Sequence, residues 1–167
     1  MPGLRRVAVI FNPETSTGST SYLHSVETAA PLFSVEATGA PVHHAGDIEL
    51  AISSLVREPG GGLIVLPDAF TASHLKQIIE LAARYKLPAI YSILDYASEG
   101  GLMAYGTDVV DLSRRMASYV DQILKGAHPG NLPVQAQTRF HTRTDLTARS
   151  CCSHATDLGL THRVYLF

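Results

Sequence analysis

The chain has 167 residues, 46% of them hydrophobic and 17% charged, with a formal net charge of −2. That length supports one domain with its own core, and the near-neutral balance excludes a broadly basic nucleic-acid surface. The longest apolar runs are strand-sized, far below the ~20 residues of a spanning helix, so no membrane insertion is predicted.

Arg5–Phe11 is rich in β-branched residues and alternates little, as a strand buried on both faces does. Arg5-Arg6 before VAVIF has the look of a signal-peptide start, but Asn12-Pro13-Glu14 ends the run without a small-residue cleavage site. It therefore reads as a first core strand. A Ser/Thr/Gly loop over Glu14–Ser21 follows, and a hydroxyl at Ser19, Thr20 or Ser21 can cap a helix over Tyr22–Ala30 that Pro31 closes. Phe33–Val42 has period two and reads as a second, less buried strand. Asp47 caps a helix through Val56 with Ile48, Ala51, Ile52 and Leu55 on one face, and Pro59-Gly60-Gly61 turns the chain. Leu63–Leu66 is a buried strand ending at Pro67-Asp68. Thr71 or Ser73 can cap the next helix, whose apolar stripe is Leu75, Ile78, Ile79, Ala82 and Ala83. Ala89–Tyr91 and Leu102–Tyr105 read as the fourth and fifth strands. Asp108 or Asp111 then opens a long helix to Lys125, with Val109, Leu112, Met116, Val120, Ile123 and Leu124 expected to face inward. Gly126 suits its C-terminal cap.

Strands alternating with helices predict an α/β fold: a three-layer, doubly wound, parallel five-stranded sheet over residues 1–126, flavodoxin-like in plan. Residues 127–167 carry Pro, Gly, Asn and scattered Thr, Arg and His without either period, which predicts an irregular C-terminal tail: an arm, an extended strand, or a partly disordered segment. Cys151 and Cys152 are adjacent and imply no disulfide framework.

In a parallel sheet the loops after the strands share one crevice. They gather Asn12, Glu14, Thr15 and Ser16; Asp68, Ala69, Phe70 and Thr71; Ser92, Asp95 and Tyr96; and Tyr105 with Gly106. Helix starts at Ser19–Ser21 and Thr71–Ser73 point backbone N–H groups at the same space, which suits a carboxylate or another small anion. Catalytic constellations are missing. A receiver-type phosphoacceptor at Asp68 lacks an acidic pair after the first strand and a Lys after the fifth. There is no GxGxxG or GxxxxGK[ST] loop, so no nucleotide cofactor is expected, and no GxSxG elbow. Ser73 and His74, adjacent on a helix, are expected to point in different directions. His43-His44 sits at a strand end, and the Cys151, Cys152 and His154 group lacks the second half of a zinc site unless His141 or His162 supplies it, so no metal is expected.

Longer segments carry a family resemblance: PGLRRVAVIFNP at the start, REPGGGLIVLPDAF, LAARYKLPAIY, and GGLMAYGTDVVDLSRRMASYVDQILKGAHPGNLPVQAQTRF. From Pro2 to about Phe140 the chain resembles the ABC-transporter substrate-binding proteins of the type I periplasmic binding fold, the group that includes aromatic amino-acid binders. In that family two similar α/β lobes close on a solute, and this sequence looks like the second lobe alone, with Met1 where the family chain enters it. The resemblance implies binding loops at Asn12–Ser16, Asp68–Thr71 and Ser92–Tyr96, with Tyr105 and Gly106 after the Gly-Gly pair that turns the family chain toward its hinge. It implies a small amino-acid-like solute, no catalysis, and an ABC permease as partner. The family is periplasmic or lipid-anchored, whereas this sequence shows no export signal and reads as cytoplasmic. After LPVQAQTRF the family continues with an apolar strand and a short Leu/Ala helix. Here the chain reads HTRTDLTARSCCSHATDLGLTHRVYLF, which suggests a shifted reading frame or a degenerate end. A single lobe is expected to bind weakly and, through the surface that would meet the other lobe, to form a homodimer. The alternative is a stand-alone cytoplasmic flavodoxin-like domain with an interaction or enzymatic role of its own.

Overall fold

A computed structural model describes residues 3–136 and 139–145. The expectations for Cys151, Cys152, His154 and His162, and most of those for the tail, lie outside the described residues. Strands β1 (Arg6–Phe11), β2 (Glu36–Pro41), β3 (Gly61–Val65), β4 (Ala89–Tyr91), β5 (Met103–Thr107) and β6 (Phe140–Thr144) form one sheet in the order β2-β1-β3-β4-β5-β6. The first five pair in parallel, in the order that a flavodoxin-like winding gives. The sixth lies beyond the five strands expected for the sheet and takes the extended-strand alternative for the tail: β6 runs antiparallel beside β5, with Tyr105 opposite Thr142.

Helices α1 (Ser19–Ala29), α2 (Ala45–Val56), α3 (Ala69–Ser73), α4 (Leu75–Arg84), α5 (Asp95–Ser98) and α6 (Val109–Leu124) connect the strands. Successive side chains of a strand face opposite ways, and the core divides accordingly. Ala8, Ile10, Leu63, Val65, Ala89, Tyr91 and Ala104 pack against Ile48, Ile52 and Leu55 of α2 and Ile78, Ile79, Leu81 and Ala82 of α4. On the other face Val9, Phe11 and Leu66 form a smaller cluster with Leu23 and Val26 of α1 and with Ile64. Ile48, Ile52 and Leu55 were readable from helical spacing, but Ala83 of the α4 stripe is exposed while Leu81 is buried.

Several local expectations are corrected. Phe33 is not in a strand: a 3-10 turn over Ala30–Phe33 follows α1 directly and leaves Leu32 and Phe33 in solvent, because Pro31 fits the first turn of such a helix. α1 starts after Gly18 with no side-chain cap, although Ser19, Thr20 and Ser21 all offer hydroxyls. Asp68, not Thr71 or Ser73, caps the segment after β3, and it caps the separate short helix α3. Asp47 sits inside α2 rather than before it, where its carboxylate accepts from the backbone N–H groups of His43 and His44 at 2.8 and 2.9 Å. Those two bonds hold its pKa below the usual carboxylate value. Asp108 does cap α6, and Gly126 does take the left-handed conformation just past its end (φ +97°).

The largest departure is α6 itself. Val109, Leu112, Met116, Val120, Ile123 and Leu124, expected to face inward, are exposed, from 38% at Leu112 to 82% at Leu124. No residue of the helix is buried. The stripe is apolar as read, but α6 leaves the sheet at β5 and is held as an arm. Asp108 accepts from Asp111 N (2.9 Å) and lies 3.0 Å from His141 Nε2 on β6, and the Tyr119 hydroxyl donates to the Pro133 carbonyl in the returning segment. Asp108 is held below the usual carboxylate range by the Asp111 N–H and then by His141.

Candidate functional site

The five parallel strands end on one side, and a hydrogen-bonded knot centred on Asp68 lies there. One carboxylate oxygen of Asp68 accepts from Thr71 N (2.8 Å) at the start of α3 and from the Thr15 hydroxyl (3.2 Å). The other accepts from Asn12 N (3.2 Å), where the chain leaves β1. Asp68 thus ties the β1 loop to the β3 loop, which neither loop could do with a hydroxyl alone.

Asn12 shapes its own loop. Its side-chain oxygen accepts from Glu14 N (2.8 Å) and Thr15 N (3.2 Å), and its carbonyl accepts from Ser16 N (3.0 Å). Asn12, Ser16, Asp68 and Thr71 are all buried, and hydrogen bonds satisfy the polar atoms that burial would otherwise penalise. The Thr71 hydroxyl donates to Leu66 O and Asp68 O, at 3.1 and 3.2 Å. Tyr96 is buried, stacks on Tyr91 with ring centroids 4.5 Å apart, and donates its hydroxyl to Thr71 O at 2.6 Å. Burial pushes the Tyr96 hydroxyl up to about 12, opposed by the Thr71 bond and aided by the Asp68 charge.

The structure therefore brings Asn12, Thr15, Ser16, Asp68, Thr71 and Tyr96 together as one fixed scaffold. Ser92 borders it, donating its hydroxyl to Val65 O at 2.5 Å. Gly106 packs behind Ser92: a Cβ there would lie 2.5 Å from the Ser92 carbonyl oxygen. Glu14, Ala69 and Asp95 are exposed on the loops and Phe70 is half-buried, its ring 4.2 Å from that of His74. Tyr105 sits apart, mid-strand on a sheet face, stacked on Phe140 with centroids 5.7 Å apart.

The two helix starts differ. The Thr71 N–H is already occupied by Asp68, whereas α1 has neither a side-chain cap nor an acidic residue in its first turn. Its first N–H groups carry the positive end of the helix dipole without protein neutralisation. Sequence reasoning missed one rim residue. His43, at the end of β2, places Nδ1 3.2 Å from Glu14 Oε1 and joins the β1 and β2 loops. Its position after a strand end was the available signal. Among the described residues no group of three or more His, Cys, Asp or Glu side chains could hold a metal ion, and no helix is long and apolar enough to cross a membrane.

Solved structures share this architecture. A conserved domain protein from Vibrio cholerae O1 biovar El Tor superposes with a TM-score of 0.78 at 23% identity, over 90% of this chain and 50% of its own. The ABC domain from Streptococcus pneumoniae, in complex with L-Trp, gives 0.75 at 17% identity, over 88% and 50%. A ligand-free, open substrate-binding protein with adhesive properties from Clostridium difficile gives 0.67 at 18% identity, over 88% and 49%. The chain thus spans about half the length of each. No curated protein matches it at a significant level. The model of the family described as ABC transporter substrate binding protein matches residues 1–149, past β6 and over most of the sequence. The chain belongs to the ABC transporter substrate-binding protein family.

Proposed function

We propose that this chain binds a small amino-acid-like solute for an ABC importer, without chemical conversion. The observation that carries the reading is the uncapped start of α1 beside the Asn12–Ser16 loop, at the C-terminal ends of parallel strands. Free helix N–H groups suit a carboxylate, and the Asp68 knot holds the adjoining loops rigid enough to present them. Rigid loops spare the solute much of the ordering cost of binding. The L-Trp bound to the Streptococcus pneumoniae structure favours an amino acid with an aromatic or apolar side chain. Phe70, half-buried on the rim, is the side chain we assign to contact it.

The Asp68 cluster is proposed as the floor of the site, since its polar atoms are engaged with one another. Exposed Glu14, His43 and Asp95 are left to meet the solute's ammonium group or the second wall. That wall is needed because a single rim buries too little of a ligand for tight binding. It comes from another α/β lobe or from a second copy, and a permease receives the loaded protein.

A thermal-shift series over the common amino acids, with isothermal titration of any hit, tests the proposal. At ten times Kd a ligand stabilises by about 1.4 kcal/mol, a rise of roughly 3–5 °C for a chain of this size. An aromatic amino acid is expected to give that rise and its amide not, because the amide lacks the carboxylate. Equal shifts from acid and amide, or none up to tens of millimolar, would sink the reading.

A further inference from the structure

The short helix α3 carries Phe70, and its own backbone holds it weakly. Five residues give little more than one turn, and a helix that short has almost no stability of its own. Its fastening converges on Thr71, which is fully buried between half-buried Phe70 and exposed Ala72. The Thr71 N–H goes to Asp68 and its hydroxyl to Leu66 O and Asp68 O, all within the segment that leads out of β3. The Tyr96 hydroxyl, which donates to the Thr71 carbonyl at 2.6 Å, comes instead from α5, beyond β4. Among the described residues it is the one hydrogen bond that reaches α3 from outside residues 66–74. Tyr96 is a firm post for it. The residue is 1% exposed, and its ring lies nearly parallel to that of Tyr91, with 13° between the planes. Gly101 leaves room for the pair: a Cβ there would lie 2.7 Å from Tyr96 O and 2.8 Å from Tyr91 Cε2.

We propose that Tyr96 is a positioning residue of the solute site: through Thr71 it fixes the rotation of α3 about its axis and so aims Phe70 at the rim. The proposal rests on the reading that Phe70 meets the solute. Neighbouring positions on a helix stand about 100° apart, so a turn pinned at Thr71 has one direction left for Phe70. Without the Tyr96 bond, the remaining ties of Thr71 run only to residues just before the helix, and these let the turn swivel as a unit. Burial of both partners keeps water from competing for the Thr71 carbonyl. The ring of His74, 4.2 Å from that of Phe70, reports where Phe70 points.

The first measurement needs no solute. Proton–carbon correlation spectra of the full-length chain at about pH 9, where an imidazole is uncharged, give the His74 ring signal, which the neighbouring Phe70 ring shifts. His74→Gln assigns that signal, and Phe70→Ala marks its position with no ring beside it. Tyr96→Phe keeps the ring on Tyr91 and loses only the hydroxyl; it is expected to move the signal toward the Phe70→Ala position. A loss of stability alone leaves the shift of the folded protein where it was. The second measurement titrates L-tryptophan into the parent, Tyr96→Phe, Phe70→Ala and the double variant. Tyr96→Phe is expected to raise Kd about fivefold, the worth of one hydrogen bond, and to leave it unchanged in the Phe70→Ala background. A His74 signal that stays at the parent position in Tyr96→Phe overturns the proposal, and so does the same rise in Kd with and without Phe70. A parent that binds no L-tryptophan counts against the solute reading, and the His74 signal then decides this one by itself.

Discussion

Replacing Asp68 by Ala tests whether its carboxylate is the bracket between the β1 and β3 loops. The substitution removes the cap on Thr71 N, costing about 1 kcal/mol and up to 2. It also leaves the Asn12 N–H without the acceptor it has at 3.2 Å, in a residue that is only 2% exposed. An unsatisfied buried donor costs about 1–3 kcal/mol, so the sum is about 3 kcal/mol. Asp68→Asn separates the parts. One amide oxygen can serve Thr71 N or Asn12 N but not both, and its NH2 then faces the remaining donor, for an expected loss of about 1.5–2 kcal/mol. Urea unfolding followed by circular dichroism, extrapolated linearly to water, measures both. An Asp68→Ala loss below about 1 kcal/mol, or an Asn variant that costs as much as Ala, would refute the bracket and with it the rigidity of the Asn12–Ser16 loop.

Tyr96→Phe should cost only about 1 kcal/mol, because Thr71 O also accepts from His74 N and is not orphaned. The same hydroxyl sets an alkaline limb. Its folded pKa is raised to about 12, so the stability it contributes is complete below the unfolded value near 10 and is lost as pH rises between the two. Unfolding curves from pH 9 to 12 should show that loss in the parent and a shallower one in Tyr96→Phe. At the acid end the sign reverses. Asp47 and Asp108 have lowered folded pKa values, so their contribution is present above the ordinary carboxylate value and fades as pH falls through the lowered one. Asp47→Asn should flatten the acid limb of stability against pH; an unchanged limb would count against the His43 and His44 bonds in solution. Gly106→Ala places a Cβ 2.5 Å from a backbone carbonyl that cannot swing aside, so β4 and β5 must part. A loss of at least ~2 kcal/mol, read as a fallen Tm, is expected, and a neutral result would place the strands farther apart than described here.

The parallel core was legible because it repeats one physical signal. Ala89–Tyr91 is bounded by Pro88 and a polar turn, and the structure begins and ends β4 at those residues. The gathering of polar residues at one end of the sheet was legible for a topological reason: strands buried on both faces shed their polar residues at their ends. Roles within it were not. Asp68, Thr71 and Ser73 all have the chemistry of a cap, and only the approach of Asn12 and Thr15, more than fifty residues away in sequence, makes Asp68 the one that serves two loops. Tyr96 is a rim residue by position and a core residue by burial, a distinction that composition does not carry. Helix α5 is too short for a period to show over Asp95–Ser98.

The error on α6 is of another kind. Its period was read correctly, and the stripe lies where the spacing puts it, yet the side chains stand in solvent. Periodicity reports that a face must be covered; it does not say by what. In a doubly wound sheet the default cover for a helix that follows β5 is the chain's own sheet, and inward-facing was therefore the natural expectation. The structure departs from that default: among the described residues no residue of α6 is buried, and Ile90 and Met103 stay only half-buried. The polar residues at the strand ends find partners among the described residues, while the apolar stripe of α6 stays exposed, and periodicity alone does not tell those two outcomes apart.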